Sequence, residues 1–142
     1  MRIFTLVIVA AALMSLSACK KDDPASAVDQ YTNKLTVGSG MNASNFTLIG
    51  EGSALARTGP VTTVYYRLES AADFAGAGIT IKVEKQTGST YTAVASYPYS
   101  NPQAYGHIIM SAFAVVETGT YRATGMITAT SAVVATTEFI VQ

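Results

Sequence analysis

Tryptophan is absent from the chain, and cysteine and histidine occur once each, at Cys19 and His107. A lone cysteine excludes an intrachain disulfide, even in an oxidising compartment. One Cys and one His also fall short of a zinc cluster, and acid-rich Asp-x-Asp-x-Asp calcium loops are missing. No Gly-x-Ser-x-Gly elbow accompanies the histidine, so a Ser/His/Asp nucleophile has no sequence support. Charge is scarce and balanced, with nine Lys and Arg against nine Asp and Glu in 142 residues. Neither a basic stripe nor an acidic tail is present, and nucleic acid is excluded as an expected partner. What fills the chain instead is Ala, Thr, Val, Gly and Tyr, the composition of a β-rich extracellular module. The length has room for one domain.

The first residues have a different character. Met1-Arg2 is a short positive start, Ile3 to Met14 is an almost unbroken apolar run, and small residues follow at Ser15, Ser17 and Ala18. This is the three-part layout of a secretory signal peptide, expected over residues 1–18. The alternative, a transmembrane helix, needs ~20 apolar residues, and Ile3 to Ala18 falls short.

Leu16-Ser17-Ala18-Cys19 resembles the lipobox of bacterial lipoproteins. The resemblance implies that the Cys19 sulfur takes a diacylglycerol, that the leader is cut just before it, and that the new amine is acylated. Two or more acyl chains anchor a protein stably, whereas one holds it marginally. The run Lys20-Lys21-Asp22-Asp23 is similar to the Lys/Asp-rich export signal of bacteroidete surface lipoproteins, and reads otherwise as a solvated spacer. Lys20-Lys21 also departs from the aspartate that retains enteric lipoproteins in the inner membrane. The expectation is an outer-membrane, lipid-anchored protein, exposed at the cell surface or facing the periplasm. Residues 19–34 form the expected tether, polar and interrupted by Pro24, and residues 35–142 the domain.

Beyond the tether no stretch carries a 3.6-residue apolar period, whereas short β-branched and aromatic runs alternate with Gly, Ser, Asn and Pro. Seven strands are expected. Asn45 to Ile49 is short; Val61 to Glu69 sets Val64, Tyr66 and Leu68 on one face; Ile79, Ile81 and Val83 alternate with polar residues. Gln86 to Ser89 reads as a turn, with Tyr91 to Ser96 returning as a hairpin. His107 to Val116 is apolar on both faces, as in a central strand. Tyr121, Ala123, Gly125 and Ile127 share one face, and Val133, Ala135, Thr137, Phe139 and Val141 close the chain. The class is all-β, a sandwich or a barrel.

Glu117-Thr118-Gly119-Thr120-Tyr121-Arg122-Ala123 resembles the acidic-x-Gly-x-Tyr-x-Cys corner of immunoglobulin-like domains. The resemblance implies an immunoglobulin-like β-sandwich in which Tyr121 is the corner tyrosine, bonded back to backbone near Glu117. Ala123 stands where the disulfide cysteine would be, so the implied version is divergent and disulfide-free. Another sandwich or a small barrel is the alternative.

Candidate sites are sparse. His107 opens an apolar strand and reads as structural. Glu51, Glu69, Asp73, Glu84, Glu117 and Glu138 are scattered singly, with no spacing that marks a glycosidase pair. The compositional oddity is Tyr97-Pro98-Tyr99-Ser100-Asn101-Pro102-Gln103-Ala104-Tyr105, read as a stiff loop between strands. Its Tyr97, Tyr99 and Tyr105 are candidate ligand-binding residues, since tyrosine offers a flat apolar face with a polar tip; the alternative is that they cap the core. No cofactor or metal is expected. The reading is a non-enzymatic binding module for glycan, host matrix or an envelope protein. A structural subunit or spacer is the competing reading, and a hydrolase the third.

Overall fold

The computed structural model describes residues 31–100 and 106–142. Ten strands run through the described residues: β1 Lys34–Gly38, β2 Gly40–Asn42, β3 Thr47–Ile49, β4 Ala54–Leu55, β5 Thr62–Glu69, β6 Gly78–Thr87, β7 Thr90–Ser100, β8 Ile108–Val115, β9 Gly119–Ile127 and β10 Ala132–Val141. Two sheets, in the orders β1-β5-β8 and β4-β10-β9-β6-β7, pack face to face as a β-sandwich, with β2-β3 a separate hairpin. Pairing is antiparallel throughout except for β4, which lies parallel to β10.

Strict alternation explains the core. Val64, Tyr66 and Leu68 of β5 and Ile79, Ile81 and Val83 of β6 are fully buried, while Thr63, Tyr65, Arg67, Thr80 and Lys82 between them are exposed or half-buried; the alternation ends at Glu69 and Glu84, which are buried against their ion-pair partners. Each such side chain contributes about 1.5–3 kcal/mol by leaving water. Across the sandwich, Phe113 of β8 meets Tyr97 of β7 at 5.7 Å and Phe139 of β10 at 5.9 Å between ring centroids. Gly125 of β9 lies directly under Leu68, where a Cβ would come within 2.8 Å of Leu68 Cδ1. The missing side chain therefore lets the two sheets close. Burial pushes the Tyr66 hydroxyl up to about 12, against a hydrogen bond with Ser111 that pulls the other way.

Several expectations are corrected. The described residues hold ten strands where seven are expected, because β1, β2 and β4 are too short to declare a period; β1 and β4 pair with distant strands, and β2 with the short β3. β8 is an edge strand of the smaller sheet, not a central one. Its outward residues Ile108, Met110 and Ala112 are half-buried and Ala114 is exposed, so apolarity on both faces did not signal burial on both. Val133, which alternation with Ala135 and Phe139 sets inward, is 60% exposed, since a register shift between Val133 and Ala135 slips the alternation and turns Val134 toward the core. The hairpin of β6 and β7 closes on Gly88-Ser89, as read, but β7 continues to Ser100.

The expected tether also ends earlier than Lys34. The Thr32 amide donates to Glu69 Oε1 at 2.8 Å, the Ala71 amide to Asn33 Oδ1 at 2.8 Å, and the Tyr31 ring stacks on His107 at 4.5 Å. Three residues upstream of β1 are thus seated on the end of the β5-β8 pair.

Candidate functional site

β7 and β8 are the edges of opposite sheets, and they lie on the same side of the sandwich. The Tyr97 hydroxyl crosses between them and donates to the Ala114 carbonyl at 3.0 Å, while its ring packs on Phe113. Beside that bridge a groove of about 320 Å³ opens, lined by Val94, Ala95, Tyr97, Ala114, Val116 and Tyr121, among others. It falls within the ~300–1,000 Å³ range of ligand clefts.

Two local irregularities create the apolar rim. The β6–β7 register shifts between Val83 and Glu84, pairing Val83 with Ala95 and Glu84 with Ala93 and leaving Val94 as the extra residue. A bulge of this kind re-aims a side chain, and Val94 is 52% exposed. On the other wall β8 ends at buried Val115, and the next residue, Val116, is 61% exposed. Arg57 Nη2 holds the Val116 carbonyl at 3.2 Å.

The turn into β9 shapes the rest. Tyr121 is buried, stacks on Phe139 at 5.5 Å and donates its hydroxyl to the Glu117 carbonyl at 2.8 Å. Burial pushes the Tyr121 hydroxyl above its ordinary range. Gly119 has φ +137°, a conformation that L side chains rarely adopt, and a Cβ there would meet Lys85 Cε at 3.1 Å. The freed space seats Lys85, whose ammonium bonds the Glu117 carboxylate on the groove's rim. The bond raises the Lys85 group and lowers the Glu117 carboxyl from their usual values.

Thr62 pairs with Val115 and Glu69 with Ile108, so the groove and the seated Tyr31–Asn33 segment occupy opposite ends of the β5-β8 pair. At ~3.3 Å per strand residue these ends are ~23 Å apart. The His107 end is structural in geometry: its Nδ1–H donates to the Ser70 carbonyl at 2.9 Å. Among the described residues, no group of three or more His, Cys, Asp or Glu could hold a metal ion.

Carboxylates are tied to neighbours rather than to one another. Glu84 accepts from Lys82 and from Arg122, which also lies 4.1 Å over the Tyr91 ring; Glu69 pairs with Arg67 and Glu51 with Lys34; Asp73 accepts the Ala75 amide at 2.6 Å. Hydrogen bonds from Lys82 first and Arg122 second hold the Glu84 carboxyl below its usual range. At Glu69 burial acts to raise the carboxyl, but the Thr32 amide and Arg67 outweigh it, and the net direction is down.

Of the candidate tyrosines, Tyr97 and Tyr99 belong to strand β7 rather than to a loop, and both turn half-buried toward the core with Pro98 exposed between them. An edge strand tolerates proline, whose missing donor would break a central ladder. Tyr97 lines the groove, whereas Tyr99 lines a second cavity with Met41, Phe46 and Met110. Tyr105, Cys19, Lys20, Lys21, Asp22 and Asp23 lie outside the described residues. Sequence reasoning missed Val94, Val116 and Lys85. The signal available was faint: the Val115-Val116 doublet before the corner motif, one member of which must face away from the core.

No protein-family model matches the chain, and no curated protein matches it. Among solved structures it is similar to a superoxide reductase (neelaredoxin) from Ignicoccus hospitalis, at 7% identity and a TM-score of 0.41, over 82% of this chain and 87% of that one.

Proposed function

We propose that the chain is a lipid-anchored lipoprotein of the outer membrane, held through Cys19 and exported under Lys20 to Asp23. Its domain acts as a non-enzymatic interaction module, and its site is the β7–β8 groove. The observation that carries the binding reading is the exposed apolar rim, with Val94 and Val116 each more than half exposed around a concave floor. Apolar side chains left in water around a cavity mark interaction surfaces. The groove's one carboxylate, Glu117, is occupied by Lys85, which supports binding over acid–base chemistry. The Tyr97 ring is engaged by Phe113, which favours an apolar protein side chain over a sugar ring as the guest. With the tether entering at the far end, the groove would face away from the membrane. The β1-β5-β8 sheet, the β10-β9-β6 core of the other and the Tyr121–Glu117 bond together support an immunoglobulin-like arrangement.

The test screens the purified full chain against arrays of envelope-protein peptides and of glycans, beside its Val116→Asp variant. Val116 is exposed, so the variant should fold as the parent does. Peptides bearing apolar side chains should be retained by the parent and lost by the variant. Equal retention by both, retention of glycans alone, or no retention at all would overturn the proposal.

A further inference from the structure

Among the described residues, every lysine and arginine but one has a carboxylate in ion-pair contact. Lys34 meets Glu51, Arg67 meets Glu69, Lys82 and Arg122 share Glu84, and Lys85 holds Glu117. The exception is Arg57, which pairs with no described carboxylate.

Arg57 follows β4 and is fixed at the lip of the β7–β8 groove. Its amide donates to the Gln142 carbonyl at 2.7 Å, its Nε to the Gly59 carbonyl at 2.8 Å and its Nη2 to the Val116 carbonyl at 3.2 Å. Nη1 donates to no described residue. A side chain already held in place has less rotamer freedom to lose when a guest arrives. Val116 joins two features: its carbonyl accepts the guanidinium, while its exposed side chain lines the groove. The apolar wall and the unpaired cation therefore lie one residue apart. Lys85 and Glu117 on the same rim cancel each other, so Arg57 leaves this end of the molecule with net positive charge.

We propose that the groove receives the carboxyl end of a partner protein's chain: the side chain of an apolar last residue enters beside Val94 and Val116, and its α-carboxylate accepts from Arg57. The inference rests on the groove being the binding site and adds what that site selects. A terminal residue carries side chain and carboxylate on one Cα, the spacing that Val116 sets between apolar wall and guanidinium. Carboxylate and guanidinium join through short, charge-assisted bonds, and capture of a terminal carboxylate is a recurring way of recognising a chain end. An internal apolar residue brings only amides and leaves Arg57 without a counter-charge. The residues between Ser100 and Gly106 do not reach this mouth. Val94 lies six residues back from Ser100 along β7, ~20 Å, whereas five residues span ~18 Å at full stretch.

Peptides immobilised through their N-termini test the charge requirement apart from the groove itself. The probes are Ser-Gly-Ser-Gly-Ser-Leu and its Val- and Phe-ended forms, each as free acid, as C-terminal amide and extended by Gly-Gly, with the purified full chain as analyte. The free acid should bind about tenfold more tightly than the amide, the size of one charge-assisted bond. The extended form, whose carboxylate is displaced from the apolar side chain, should fall to the amide's level. Arg57→Gln should erase the preference for acid over amide. Glu117→Gln, which removes the competing carboxylate and frees Lys85 for the guest, should tighten the acid and not the amide. That gain serves if the Arg57 variant does not fold, since misfolding does not tighten binding. Amide and extended forms held as tightly as the acid, and lost with Val116→Asp, would overturn the terminal-carboxylate reading and leave the groove standing. No binding of any probe would overturn both. A preference for the acid that survives folded Arg57→Gln, or an acid that Glu117→Gln does not tighten, would overturn this inference alone.

Discussion

The hydroxyl of Tyr121 reaches back four residues to the Glu117 carbonyl at 2.8 Å, while its ring lies buried on Phe139. Tyr121→Phe keeps the ring and removes the bond. The orphaned carbonyl belongs to an exposed residue that water reaches, so the loss should sit at ~0.5–1.5 kcal/mol, the ordinary net value of one hydrogen bond. Denaturant unfolding at constant m-value checks it. A variant as stable as the parent would show that the hydroxyl adds nothing.

Gly125→Ala should destabilise by ~1–3 kcal/mol, as overpacking does. Both δ-carbons of Leu68 would lie within 2.9 Å of the new Cβ, and rotation about one bond does not clear both. Leu68 is fully buried in the core cluster. The gain from replacing glycine in a strand, roughly 0.5–1 kcal/mol, runs the other way and is smaller. Thermal unfolding of Gly125→Ala beside the exposed control Gly52→Ala measures the difference, and equal melting would contradict the close approach.

Acid should weaken the domain through Glu69 and Glu84. Both carboxyls are held below their ordinary value in the folded chain. Their contribution is therefore fully present above the unfolded value of ~4.3 and is lost as pH falls through the depressed folded values. Melting temperature should hold from neutral pH to about 5 and fall below about 4. Glu84→Gln should melt lower than the parent near neutrality and lose less on acidification. A parent curve flat to pH 3 would show that these pairs add no net stability.

Cys19→Ser should abolish incorporation of labelled fatty acid and release the chain from the outer-membrane fraction, because the acyl chains are the proposed anchor. Replacing Lys20 to Asp23 by Ala should keep the label but lower accessibility to external protease in intact cells. Membrane retention of the Ser variant at the parent's level would refute the lipobox reading. Unchanged protease shaving would reduce the charged run to a spacer.

Much of the fold was legible because β-structure writes a local period of two. Ile79, Ile81 and Val83 are buried where alternation requires it, and the Gly88-Ser89 turn lies between strands that pair as read. The Glu117–Tyr121 bond was legible too, since a corner is made within a few residues of chain. Neighbour relations were not. Whether β8 lies at an edge or in the middle depends on which strands pair beside it, and its partners on β5 lie 39 to 53 residues earlier in the chain, from Glu69↔Ile108 to Thr62↔Val115. Tyr97 and Tyr99 looked like loop residues because strand β7 carries a proline, a choice that only an edge position permits. The groove needed a bulge at Val94 on one sheet to face the outward Val116 beyond the other. Side-chain alternation is fixed by the backbone residue by residue, whereas edges, bulges and the cleft between sheets are decided by long-range pairing that no local pattern encodes.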